Sequence, residues 1–279
     1  MKTVCPEYYS KFKCIASACP DSCCIGWQIC LDEKTAQQYL TDSSTAVSTV
    51  AKQYMRGSKN SRYLALKNGR CPYLDDKNLC NVIKEKGDEF LCEVCYNHPR
   101  FDVENDGVLV KYLSLSCPEA SRLFCQECKQ KRIKFVGDDC DLLECLSNSG
   151  DVGQKIEKIS SNQRFDELFS NLFLQMEYLD TRTKEILGSI KGSVVLKKLK
   201  ETNPFYVSSL YDYFLSVNCV STERSNTAIV NVIGVLFLTS VFDEVKSIYS
   251  YVKEIEHSEK NEKFLKRKVA SPLFRGLFD

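Results

Sequence analysis

The sequence lacks a dominant charge: 38 Lys and Arg stand against 37 Asp and Glu, leaving +1. That balance removes the global field that draws a chain to nucleic acid or to an acidic membrane, so neither is expected as a partner. The basic runs, Lys129 to Lys134 and Lys266-Arg267-Lys268, are short and fit solvated helix faces better than a phosphate track. An apolar h-region is missing after Met1-Lys2-Thr3-Val4-Cys5-Pro6, so no secretory signal is expected. A clear membrane-spanning run is missing as well. The uncharged stretch Ser225 to Phe242 carries Asn226, Thr227, Asn231, Gly234, Thr239 and Ser240 and barely reaches spanning length. It is expected as a buried core helix, without stable membrane insertion. Neither an internal repeat nor a low-complexity tract is present.

Cysteine is nearly absent after Cys145, where Cys219 stands alone, yet the chain has 16 of them. An exported disulfide scaffold needs a signal peptide and is usually a small domain. A long, cysteine-poor second half and no expected signal point instead to a reducing, cytoplasmic setting. Metal ligation or redox chemistry is therefore expected in the first half.

The 43% apolar content over 279 residues suits one large domain or two modest ones. Composition breaks near Ser147-Asn148-Ser149-Gly150-Asp151-Val152-Gly153, a small and polar stretch that reads as a linker. We therefore expect a cysteine-rich metal-binding domain over residues 1–147 and a helical domain over residues 148–279. In the first, Asp32 to Met55 reads as one helix ending near Gly57. Arg62 to Leu66 and Val108 to Leu115 read as short strands, with a turn at Asn105-Asp106-Gly107. Pro118 is placed to open a helix, with Glu119 in its first turn. In the second, Phe165, Leu168, Phe169, Leu172, Met176 and Leu179 recur at three- and four-residue steps and predict an amphipathic helix. More helices are expected after Pro204, across Asn226 to Phe242 and from Glu244 to Ile255. The expected fold class is mainly α: an irregular cysteine-rich region with a few short strands around a metal centre, then a helical bundle.

The cysteine spacing carries the chemistry. Cys14-x4-Cys19-x3-Cys23-Cys24 is followed by Gly26-Trp27, with Pro20 and Gly26 to turn the chain, so four thiols can converge on one centre. Thiolates suit soft sites, zinc or iron–sulfur clusters. Cys71-Pro72-Tyr73-Leu74, Leu79-Cys80 and Leu91-Cys92-x2-Cys95 form a second group, with Cys117-Pro118-Glu119 a third. Cys125-x2-Cys128 has ligand spacing but lies in an expected helix, which leaves ligation and ordinary packing both open. His98 could complete a Cys3His zinc site, although a lone histidine in a turn is more often structural. Trp27 is expected to pack over the centre and exclude water. Two familiar patterns are excluded. Cys19-x3-Cys23 meets Gly26 where a C-x3-C-x2-C triad needs its third cysteine, and the interval from Tyr96 to Phe124 is too long for a zinc ribbon.

Together these motifs resemble the flagellin lysine-N-methylase family. The matching residues are Pro6-Glu7-Tyr8-Tyr9, Lys11-Phe12-Lys13-Cys14, Cys19, Cys23-Cys24-x-Gly26-Trp27, Cys71-Pro72-Tyr73-Leu74, Leu79-Cys80, Leu91-Cys92-x2-Cys95, Pro99-Arg100 and Leu113 to Glu119. The pattern is also similar to cysteine-cluster proteins that chelate zinc or iron. The resemblance implies S-adenosylmethionine-dependent methylation of lysines on flagellin, with a [4Fe-4S] cluster needed for activity; zinc is the alternative metal. It does not come with a nucleotide fingerprint, since no Gly-rich strand–turn–helix is present. A non-catalytic zinc- or iron-binding protein and a thiol–disulfide sensor remain the other readings. Cys14, Cys19, Cys23, Cys24, Cys71, Cys80, Cys92, Cys95 and Cys117 are expected around one or two metal centres. Cys5, Cys30, Cys125, Cys128, Cys140, Cys145 and Cys219 are expected mostly as small apolar side chains. Glu119, Asp21 and Tyr73 sit beside cluster cysteines and could act on an amine, but caps and surface carboxylates are the commoner use of such residues.

Overall fold

The structure is a computed structural model that describes residues 1–43, 45–59, 61–105, 107–139, 142, 151–217, 222–256 and 258–278. It is mainly helical with a few short strands. The chain divides into two compact units: Met1–Phe12 with Arg100–Asp279, and Lys13–Pro99. This division does not follow the composition break near residue 147. Composition records cysteine density, whereas packing joins the first strand to sheet and helices that come after residue 100. Most of the expected linker, residues 147–150, lies outside the described residues.

The smaller unit, Lys13–Pro99, is built from very short elements. Strands β2 (Ile29–Cys30), β3 (Met55–Arg56) and β4 (Tyr63–Leu64) form an antiparallel sheet in the order β2-β4-β3. Helices α1 (Glu33–Thr41), α2 (Thr45–Tyr54), α3 (Asn81–Lys86) and α4 (Glu93–Asn97) complete it. The single helix expected over Asp32 to Met55 is instead α1 and α2. The break comes at Asp42, whose backbone is extended at ψ 134 and whose carboxylate pairs with Lys86 at 3.0 Å. The apolar core is small: Ile29, Leu31, Ala36, Tyr39, Val47, Ala51, Leu64, Tyr73 and Val82, with Cys71 and Cys92 among them.

In the larger unit, strands β1 (Lys2–Pro6), β5 (Arg100–Asn105), β6 (Val108–Leu113) and β7 (Phe135–Gly137) lie in the order β5-β6-β1-β7. β6 takes up the strand expected from Val108 and pairs in a hairpin with β5, which was not among the expected strands, closing at Asn105↔Val108. β1 runs parallel to β6 and antiparallel to β7. Glycine is required at Gly137, where a Cβ would stand 2.0 Å from the Thr3 carbonyl oxygen across the sheet. Helix α5 (Pro118–Cys128) starts at the expected proline.

The other helices of this unit are α6 (Val152–Ser160), α7 (Phe165–Leu174), α8 (Thr181–Gly188), α9 (Gly192–Glu201), α10 (Pro204–Val217), α11 (Thr222–Leu238), α12 (Glu244–Glu256), α13 (Glu259–Val269) and α14 (Pro272–Phe278). The helix expected through Leu179 ends at Leu174. Beyond it Met176 is still buried, and Asp180 caps α8 through the Arg182 and Thr183 N–H groups. Helix α11 is the centre of the core, with Ala228, Val230, Val232, Ile233, Val235, Leu236 and Leu238 at 0% exposure. Its one buried amide, Asn231, accepts the Tyr251 hydroxyl at 2.9 Å. Among the described residues no helix is long and apolar enough to cross a membrane.

Candidate metal centre

Nine of the sixteen cysteines fall in Lys13–Pro99, and backbone pairing brings distant ones side by side. An antiparallel bridge joins Ile25 to Arg70, and the Cys71 N–H donates to the Cys24 carbonyl at 2.7 Å. Cys24 and Cys71 are thereby neighbours. A second bridge joins Leu74 to Cys80 across a turn built on Asp75, whose Oδ1 accepts the N–H groups of Lys77 and Leu79 at 2.8 Å. Cys80 then opens α3, and Cys92 opens α4 with Cys95 in its first turn. The Trp27 indole N–H donates to the Cys23 carbonyl at 2.7 Å, fixing the chain between Cys23 and Gly26.

The sulfurs form a hydrogen-bonded and electrostatic network. Cys71 is held below the ordinary thiol range chiefly by a hydrogen bond from Cys24. Cys24 itself is favoured as thiolate by a hydrogen bond from Cys23, but its bond to Cys71 and its burial outweigh this and push it up to about 12. Cys92 is lowered, first by a hydrogen bond from the Cys95 thiol; Cys95 is raised by that same bond and by burial. Burial raises Cys80, and negative charge on Cys23 or Cys92 raises it further. Cys95 responds likewise to Cys24 and Cys23. Cys19 is raised by burial and, less strongly, by Cys23 and Cys14. Cys23, Cys24, Cys71, Cys80, Cys92 and Cys95 thus interact as one group, with Cys14 and Cys19 at its edge.

All thirteen described cysteines are thiols rather than disulfides. Among the described residues no three Cys, His, Asp or Glu side chains stand in a ready metal-holding arrangement. The donor chemistry nevertheless fits a soft metal. Two S–H···S pairs, Cys24 with Cys71 and Cys92 with Cys95, each contain one sulfur whose ionisation is favoured, and a metal ion takes the place of such thiol protons.

The other sequence candidates have the following surroundings, each within its own unit. Cys117 belongs to the larger unit, at the N-terminal cap of α5, and packs against that unit's core. Cys125 and Cys128 are buried in the same core, where burial raises both. Cys30 is exposed and Cys5 is half-buried. Cys140, Cys145 and Cys219 lie outside the described residues. Glu119 is engaged by both arms of Arg122 at 2.7 Å. Asp21 accepts the N–H of Ser22 at 2.7 Å, and Tyr73 donates its hydroxyl to the Val47 carbonyl at 2.9 Å. His98 meets the Trp27 ring edge-on at 6.2 Å.

Comparison with known proteins gives the family. A lysine-N-methylase of Salmonella choleraesuis (strain SC-B67) is 37% identical over 122 residues, 42% of this chain and 30% of that protein. The lysine-N-methylase of Salmonella typhimurium (strain LT2) is 36% identical over the same shares. The flagellar biosynthetic protein FliU of Salmonella muenchen is 35% identical over 122 residues, 42% of this chain and 72% of its own length. The chain belongs to the flagellin lysine-N-methylase family. The match spans 30% of the length of the two lysine-N-methylases. No family model and no solved structure matches.

Proposed function

We propose that the chain is a protein-lysine N-methyltransferase that acts on flagellin in the cytoplasm, takes its methyl group from S-adenosylmethionine and holds a cysteine-ligated [4Fe-4S] cluster. The observation that carries this reading is the match to the Salmonella lysine-N-methylases. The thiol network of residues 13–99 supports the cluster. Cys24, Cys71, Cys92 and Cys95 are the four sulfurs we assign to hold it, because backbone pairing sets Cys24 beside Cys71 and the start of α4 sets Cys92 three residues from Cys95. Cys23 and Cys80 border them, and Cys14 and Cys19 provide for a second site or for shielding. A cluster held by these four sulfurs would have each iron cysteine-ligated and would supply structural order and a redox-sensitive centre to this unit. In the transfer itself the lysine amine forms the new N–C bond as the donor's S–C bond breaks. The sulfur keeps that electron pair, and the surplus amine proton leaves to a base.

One observation favours a second reading, a non-catalytic zinc- or iron-binding protein. Glu119 is occupied by Arg122 and Tyr73 by a backbone carbonyl, so neither stands ready to take a proton. The two readings separate when the whole, metal-loaded chain is incubated with flagellin and methyl-labelled donor. Label on flagellin lysines, lost in Cys92→Ser and kept in Cys30→Ser, is the expected result. A metal-loaded protein that transfers no label overturns the transferase reading.

A further inference from the structure

Helix α1 carries two polar hooks that cysteine spacing does not announce. Asp32, its N-cap, accepts the Thr35 N–H at 2.8 Å with Oδ1 and reaches with Oδ2 to the Glu93 N–H at 3.1 Å. Capping α1 needs only the first of these bonds; the second reaches 61 residues along the chain, to the residue next to Cys92. Seven residues later, and so on the same side of the helix, Tyr39 donates its hydroxyl to the Phe90 carbonyl at 3.1 Å. The Tyr39 ring also stacks on the Phe90 ring at 5.8 Å with 17° between planes. Tyr39 is 2% exposed, so this hook is fixed in the core.

The two contacts bracket Leu91-Cys92, one just before it and one just after. The bracket matters because α4 is five residues long, and so short a helix does not hold its own geometry in water. Yet α4 carries both sulfurs of the Cys92-x2-Cys95 knuckle. We propose that α1 is the positioning element of the metal centre, with Asp32 and Tyr39 holding the Cys92-x2-Cys95 knuckle in place. The inference rests on the metal reading above and extends it to two residues that touch no metal. Groups that orient ligands typically change metal affinity 10- to 100-fold when removed.

The test uses cobalt(II) as a spectroscopic probe on the whole reduced chain. Asp32→Asn keeps one acceptor oxygen for Thr35 and gives up the bond to Glu93. Tyr39→Phe keeps the ring stack and loses the hydroxyl. Lys52→Gly, at an exposed position of α2 in the same unit, reports general destabilisation through lost helix propensity. Each clamp variant is expected to weaken cobalt binding about 10-fold and to alter the thiolate-to-cobalt absorption, while Lys52→Gly leaves both unchanged. Clamp variants that bind as tightly as the parent overturn the inference while leaving the metal reading intact. A Lys52→Gly variant that weakens binding as much as they do also overturns it, because positioning would then be mere stability. A parent chain with no thiolate absorption sinks the metal reading, and the clamp with it.

Discussion

Glu256 shows what single residues contribute away from the cysteines. Its carboxyl accepts the hydroxyls of Ser114 and Tyr213, the latter at 2.6 Å. The Tyr213 oxygen in turn accepts the Leu115 N–H at 3.1 Å, and Ser114 bonds Ser116, so the end of α12 pins the segment before α5. Two residues earlier on the same helix, Glu254 is buried and accepts the N–H groups of Leu179 at 2.7 Å and Asp180 at 2.9 Å. Burial raises its pKa to about 7, against a downward pull from those two bonds. A carboxyl raised in the folded state stabilises the fold fully below its ordinary value of 4.5. That contribution is lost as pH climbs through 7. Stability is therefore expected to fall between pH 4.5 and 7, and Glu254→Gln to show a shallower slope over that range. Denaturant midpoints check this. A Glu254→Gln variant with an unchanged slope contradicts it.

Elements were legible where one residue dictates a backbone event. Pro118 starts α5, Asn105 to Val108 closes the β5–β6 hairpin, and apolar residues at helical spacing give α7 and α11. The break at Asp42 was not read from the sequence; in the fold its carboxylate is tied to Lys86, 44 residues away. Asp32 and Tyr39 were missed because one read only as a helix start and the other had no motif, while their partners lie 61 and 51 residues distant. Local spacing groups the thiols from Cys14 through Cys95 but does not reveal which pair with which. Helix packing offers its own test at Gly234 in α11. A Cβ there would stand 2.3 Å from the Tyr251 ring of α12. Gly234→Ala is expected to cost about 1–3 kcal/mol by overpacking, despite the better helix propensity of alanine. A thermal midpoint at or above that of the parent would show that the Tyr251 ring gives way freely.

For the whole molecule, the two units differ in what holds them. Residues 100–278 supply a large helical core around α11, whereas residues 13–99 bury few apolar side chains, cysteines among them. Metal binding is therefore expected to contribute directly to the folding of the smaller unit. Chelation of the intact chain should speed hydrogen exchange in α1 to α4 and leave α10 to α12 protected. Equal acceleration in both, or none in either, would remove that asymmetry. The match spans only 30% of the lysine-N-methylases, so the catalytic proposal depends first on the metal centre being real. Anaerobic purification of the whole chain, with iron, zinc and acid-labile sulfide measured against protein, tests that claim most directly. The account expects a brown protein with iron and sulfide in equal amounts, both lost in the Cys92→Ser, Cys95→Ser double variant. A colourless protein without iron or zinc, all of its accessible thiols reacting as free cysteine, would contradict it.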